Sequence, residues 1–121
     1  MNKAQAIQSF WEGFSLNAYD ENTVPDDAAM PYITYDVAED SLDSVVNLHG
    51  NLWYRSTSWR EISEKANEIA EYVGLGGKVI PIENGYAWLC RGAPFIQRMN
   101  DEDSSIRRIY INIQAEYLTA N

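Results

Sequence analysis

Residues 52–74 read Leu52-Trp-Tyr-Arg-Ser-Thr-Ser-Trp-Arg-Glu-Ile-Ser-Glu-Lys-Ala-Asn-Glu-Ile-Ala-Glu-Tyr-Val-Gly74. The stretch decides the fold because it joins a strand to a capped amphipathic helix. Leu52 and Tyr54 alternate with Trp53 and Arg55, the period of a strand with one buried face. Ser58 then stands three residues before Glu61, the pattern of a capping box that satisfies two orphan backbone donors reciprocally. Ile62, Ala66, Ile69, Ala70 and Val73 recur at helical spacing, and Gly74 supplies the C-terminal stop. On this reading Ser58→Ala costs about 0.5–2 kcal/mol. The stretch carries no nucleophile beside a base, no metal-ligand spacing and no phosphate cradle.

Working upstream, the strand extends back through residues 45–55. Val46, Leu48, Leu52 and Tyr54 face one way; Asn47, His49, Asn51, Trp53 and Arg55 face the other. Gly50 suggests a bend or bulge. Residues 32–37 alternate as well, with Ile33, Tyr35 and Val37 opposite Thr34 and Asp36, and a polar link at residues 39–43 joins the two runs. Residues 3–14 place Ala4, Ile7, Phe10, Trp11 and Phe14 on one helical stripe ending near Gly13. Residues 15–31 read as a long loop with Asx residues and two prolines.

Downstream, residues 78–82 and 86–91 flank Glu83-Asn84-Gly85, a hairpin signal because Asn and Gly tolerate positive φ. Residues 92–105 read as a second long loop of mixed charge. In residues 106–118, Ile109, Ile111, Ile113, Ala115 and Tyr117 alternate with Arg108, Tyr110, Asn112, Gln114 and Glu116. The expected fold is α+β in the order α-β-β-α-β-β-β: a mostly antiparallel sheet of about five strands packed by two helices, in one domain.

The composition bounds the partners. A formal charge of -9 in 121 residues argues against a nucleic-acid groove, which needs surplus Lys and Arg, and against anionic membranes. The aromatic share of 12% is high for so small a domain, so some rings are expected at a contact surface. The single cysteine, Cys90, reads as a small core residue in a reducing compartment, which excludes a disulfide framework. Residues 1–14 lack a signal-peptide pattern and no segment reaches membrane-spanning length, so the chain reads as soluble and intracellular.

Chemistry finds little purchase. Gly74-Leu-Gly-Gly-Lys78 precedes a strand and lacks the Ser or Thr of a phosphate loop, so it reads as a turn. Asp20, Glu21, Asn22, Asp26 and Asp27 fail the calcium-loop pattern because Val24 and Pro25 interrupt it. His49 and Cys90 lack an orienting third group. We therefore expect no catalytic residues, cofactor or metal. Arg91, Arg98, Arg107 and Arg108 allow two readings: pairing with Asp101, Glu102 and Asp103, or meeting an acidic neighbour such as the Asp20–Asp27 loop of another copy. Tyr32, Trp53 and Tyr110 alternate onto the polar strand face; Trp53 and Arg55 read as contact residues, whereas Tyr110 reads as core.

Five segments in order carry a resemblance: Asn17-Ala-Tyr-Asp-Glu-Asn-Thr-Val-Pro-Asp-Asp-Ala28, Pro31-Tyr-Ile-Thr-Tyr35, Leu52-Trp-Tyr-Arg-Ser-Thr-Ser-Trp59, Arg91-Gly-Ala-Pro-Phe95 and Arg107-Arg-Ile-Tyr110. Together they resemble the tail terminator, or tail completion, family of long-tailed phages and prophages. The resemblance implies one terminator-like domain over residues 1–121 that assembles in the host cytoplasm, six copies to a ring. The ring caps the head-proximal end of the virion tail tube, stops its polymerisation and joins it to the head connector. Its implied partners are itself, the major tail-tube protein and the head-tail connector protein, with DNA passing through the lumen unbound and no membrane contact.

The family carries over no catalytic motif and no residue-level contact signature. Asp20, Glu21, Asp26, Asp27, Trp53, Arg55, Arg91, Arg98, Arg107 and Arg108 are therefore interface candidates on physical grounds alone. The acidic loop and the arginine region are expected on opposing subunit faces, so that Arg107→Glu with Arg108→Glu impairs assembly of a folded monomer. A head-closure or other neck protein shares this logic. A small-ligand protein or enzyme, and a prophage regulatory module, are the readings from other classes.

Overall fold

The computed structural model describes residues 1–37 and 45–119; the predicted link at residues 39–43 lies outside them. Its centre follows from the strongest alternation in the chain. Ile109, Ile111, Ile113 and Ala115 of β6 (Ile106–Thr119) are all buried, and β6 pairs on both sides. On one side lies β3 (Val45–Arg55), on the other β5 (Gly85–Met99). Beyond β3 come β2 (Tyr32–Tyr35) and β1 (Asn17–Asp20); beyond β5 comes β4 (Lys78–Ile82). The order is β1-β2-β3-β6-β5-β4, with β1 and β2 parallel and every other pair antiparallel.

The α+β class stands, with two corrections to its details. The sheet has six strands where about five were expected, and the element order is α-β-β-β-α-β-β-β; the added strand, β1, lies inside the stretch expected to be loop and gives the mostly antiparallel sheet its one parallel pair. Four residues pairing in parallel with a distant strand leave no local periodicity to read. The expected second long loop is also largely strand. β5 runs past Gly92 as far as Met99, interrupted by a bulge between Arg91 and Ile96, and Gly92-Ala-Pro94 hides the alternation that resumes at Ile96.

Two helices cover one face of this sheet. α1 (Lys3–Glu12) buries Ala6, Ile7, Phe10 and Trp11, with Ala6 rather than Ala4 completing the stripe. α2 (Arg60–Val73) buries Ile62, Ala66, Ile69 and Val73. These meet the inward residues of β2, β3, β5 and β6 in one apolar cluster. α1 touches both β1 and β4, the strands at opposite ends of the sheet order, so the sheet curls around it. Phe10, Phe14 and Tyr72 link the two helices edge to face, at ring-centroid distances of 5.4 and 5.5 Å.

Gly50 makes no bulge. Its register runs unbroken between Tyr35 and Ile111, and a Cβ there would lie 2.5 Å from the Trp11 ring. The missing side chain is the seat of that indole.

The capping pattern is also redistributed. α2 starts at Arg60, and the Ser58 hydroxyl accepts from the Arg60 N–H at 3.1 Å. The box does not close, because the Ser58 N–H donates to Ser56 Oγ at 3.0 Å. With one bond instead of two, Ser58→Ala is expected near the low end of its range, about 0.5 kcal/mol by urea unfolding. The closed box is on α1, where Asn2 and Gln5 exchange bonds of 2.8 and 3.0 Å.

Burial has a titratable consequence. Burial, then the nearby Asp20 and Glu12, push the Tyr35 phenol above its ordinary value of 10.0. Burial and the carboxylates of Glu61, Glu68 and Glu64 raise Tyr54 in the same way. The unfolded chain ionises these phenols first, so their contribution is complete below pH 10 and lost as pH rises through the folded values. Urea midpoints are expected to fall above about pH 10, and less steeply in a Tyr35→Phe, Tyr54→Phe double variant.

Candidate interaction surface

Both helices pack on the inward face, so the other face displays the outward residues of every strand. Tyr32, Trp53, Arg108 and Met99 stand in one row across β2, β3, β6 and β5. The rings of Tyr19 and Tyr32 lie 5.7 Å apart and those of Tyr32 and Trp53 6.4 Å apart. The Arg108 guanidinium carbon sits 4.9 Å from the Trp53 ring centroid. Trp53 Nε1 donates to Thr34 Oγ1 at 2.8 Å and Arg108 Nε to Asn51 Oδ1 at 2.9 Å, which buries Thr34 and Asn51 beneath the row. Trp53 is therefore half-buried and braced from both sides.

On this face Tyr110 stands in the next row, paired with Asn51, and His49 in the row beyond, paired with Asn112. Tyr110 stacks on the imidazole at 5.4 Å, and the Asp36 carboxylate holds both the His49 N–H, at 2.7 Å, and Nδ1, at 2.9 Å. Tyr110 thus lies half-buried on the outer face rather than in the core. Cys90 is likewise outside the core, half-buried beside Trp88 in a groove of about 220 Å³ that Val45, Gln114 and Glu116 complete. Burial and the Glu116 carboxylate raise its thiol above the ordinary value, the opposite of an activated nucleophile.

The arginines close in sequence separate in space. Arg107 and Arg108 are neighbours in a strand and so take opposite faces. Arg107 turns toward the helices, where its guanidinium donates to the carbonyls of Thr57 at 2.8 Å and Ser104 at 3.0 Å. It lies 5.2 Å from the Trp59 ring centroid, and Arg98 lies 4.7 Å from the same ring. Arg91 donates to the Ala70 carbonyl at 2.8 Å, a cation on the C-terminal end of α2, and rests 5.2 Å from the Phe95 ring.

Among the described residues none of these four has a carboxylate within 4.0 Å. Of Asp101, Glu102 and Asp103, only Asp103 is paired among the described residues, and by Arg55, at 3.7 Å. The Ser105 hydroxyl and N–H, at 2.6 and 2.8 Å, hold the Asp103 carboxyl below its ordinary value of 3.8.

The acidic loop occupies residues 21–31 and carries the crossover between the parallel β1 and β2. Asp20 starts it, its carboxylate accepting from the Asn22 N–H at 3.0 Å and its carbonyl from Thr23 at 2.9 Å. Glu21, Asp26 and Asp27 are exposed, with no ion pair among the described residues. This loop borders β1, one end of the sheet order. Arg91 and Arg98 lie on the part of β5 that extends beyond its pairing with β4, and that part forms the opposite edge. Sequence reasoning missed the role of Trp59 as the ring that gathers Arg98 and Arg107, because those arginines come from strands distant in sequence.

Among the described residues no three His, Cys, Asp or Glu side chains are placed to hold a metal ion, and no helix is long and apolar enough to cross a membrane. No protein-family model and no curated protein matches the chain. A solved structure does. Its fold is shared with a chain of the virion of a native gene transfer agent particle, at a TM-score of 0.62 and 16% identity. The match covers 92% of this chain and 83% of that one, so the likeness is one of the overall fold rather than of a local motif.

Proposed function

We propose that the chain is a structural protein of a phage-like virion, acting through surfaces rather than through an active site. The observation that carries this reading is the fold shared with a gene transfer agent virion chain over 92% of the residues. Within that class, the ordered resemblance to tail terminators favours residues 1–121 as one terminator-like domain. In this role it forms a ring of six copies at the head-proximal end of the tail tube. The ring ends tube growth and bridges the major tail-tube protein to the head connector protein.

Two physical features support a ring. A closed ring needs two different complementary patches on each copy, and the acidic loop and the arginine-bearing strand stand at opposite sheet edges. The net charge of -9 suits a passage that DNA crosses without sticking. Electron microscopy of particles made without this chain tests the role. Overlong, uncapped tubes are expected. Tails of normal length beside unattached heads would instead assign it to head closure, and unaltered particles would refute both.

A further inference from the structure

We propose that copies of this chain associate head to tail by seating the acidic β1–β2 loop of one copy against the Arg98–Trp59–Arg107 cluster of the next. Contact is made through side chains, not by adding a strand. The proposal deepens the ring reading above and rests on it only for the closure of the ring.

The cluster is built to receive an anion that its own chain does not supply. Arg98 and Arg107 lie 4.7 and 5.2 Å from the centroid of one indole, so two like charges are gathered on one ring with no carboxylate within 4.0 Å among the described residues. A guanidinium resting on an aromatic ring keeps its in-plane N–H donors free, and those donors match carboxylate oxygens. Arg107 spends part of its set on the Thr57 and Ser104 carbonyls, which fixes its position. Arg98 is exposed and makes no hydrogen bond among the described contacts. Ordering side chains before contact removes part of the entropy that association otherwise costs.

The same chain carries the complementary charge in a loop that makes no ion pair with its own arginines among the described residues. Glu21, Asp26 and Asp27 project from the loop beside β1, and β2, β3 and β6 separate that strand from β5. Four steps of roughly 4.8 Å span roughly 19 Å along the sheet. One copy therefore presents both patches at once, the requirement for a heterologous contact. Strand addition is disfavoured at each edge. β1 has four residues, β4 carries Pro81, and the open part of β5 is broken by its bulge and by Pro94.

Sedimentation velocity on the purified chain at about 0.1 M and about 1 M salt, where the screening length falls from about 10 Å to about 3 Å, tests the contact. The wild type is expected to associate in low salt and dissociate in high salt. Arg98→Glu, and separately Asp26→Arg with Asp27→Arg, are each expected to weaken association at least about tenfold while leaving the melting curve unchanged. An equimolar mixture of the two variants is expected to associate again, because each reversed patch then meets its reversed complement in alternating copies.

A wild type that stays monomeric at about 1 mM in low salt would overturn the proposal, as would variants that associate normally or a mixture that fails where the wild type succeeds. The outcome is separable from the tail-capping role. Association as described, with normal tails when the chain is removed, would retire the role and keep the contact. Overlong tails with unaffected charge variants would do the reverse.

Discussion

Trp11→Ala is expected to lower unfolding free energy by about 3–5 kcal/mol, a large share of what a domain this size holds. Trp11 is 0% exposed and meets Phe10 edge to face at 4.8 Å. One opposing effect needs weighing. The indole Nε1 is buried without a partner among the described residues, and deleting it relieves a donor whose burial costs about 1–3 kcal/mol. Loss of the ring outweighs that relief, so the result falls toward the lower end of the range. The partner substitution exposes the mechanism. Gly50→Ala would put its Cβ 2.5, 2.7 and 2.9 Å from three carbons of the indole, costing about 1–3 kcal/mol in the wild type. In the Trp11→Ala background the same methyl enters empty space, and its cost should vanish. Urea unfolding of the four proteins gives the coupling directly. Strict additivity would mean that the indole does not occupy the space over Gly50.

What the sequence disclosed, and what it hid, follows the range of the interactions. α2 and β6 were legible because their stripes repeat locally: Ile62, Ala66, Ile69 and Val73 at helical spacing, Ile109 to Ala115 at every second position. β1 was not, because Asn17 to Asp20 acquire strand conformation from pairing with Tyr32 to Tyr35, after a crossover. Gly50 read as an irregularity because the indole that needs its missing Cβ lies on another element. The candidate surface divides the same way. That Arg107 and Arg108 take opposite faces was available from the strand period alone, and it dissolves the paired Arg107→Glu, Arg108→Glu test. One of those changes strikes a residue that holds the Thr57 and Ser104 carbonyls, the other a residue bound to Asn51. Arg98, exposed and with its side chain held among the described residues by Trp59 alone, is the cleaner probe. Its ring partner lies far away in sequence, so no local pattern could pair them.

The division of labour between the faces has a physical basis. The helix-covered face puts Phe10, Trp11 and Phe14 into the core and leaves Trp59 at its rim to hold Arg98 and Arg107. The other face uses its rings to order polar side chains: Trp53 under Arg108, Tyr110 against His49. Rings used in this way stiffen polar side chains at little entropic cost, because an aromatic side chain has only two rotatable bonds. In the structural role proposed above, that stiffness would serve a contact surface.

Gly85→Ala is expected to cost about 1–3 kcal/mol, toward the upper end, although Gly85 follows a turn where small changes are usually tolerated. The sequence suggested a glycine kept for its freedom at positive φ, but the residue with φ of 61° is Asn84, and the turn is Glu83-Asn84 between paired Ile82 and Gly85. Gly85 serves a different need. It pairs with Thr119 on its other side, where a Cβ would stand 2.0 Å from the Leu118 carbonyl oxygen and 2.8 Å from the Thr119 Cα. Those atoms are backbone, so no rotamer change can clear the space. The end of β6 must part from the hairpin, and hydrogen exchange should then rise in β4, in the first residues of β5 and at the end of β6, while α2 and the middle of β3 keep their protection. Gly76→Ala is the control: nothing lies within 4 Å of its Cβ, and its effect should stay within about 0.5 kcal/mol. If the two substitutions prove equal, β5 and β6 do not approach each other at Gly85. The corner that carries Tyr86, Trp88 and Leu118 would then be built differently.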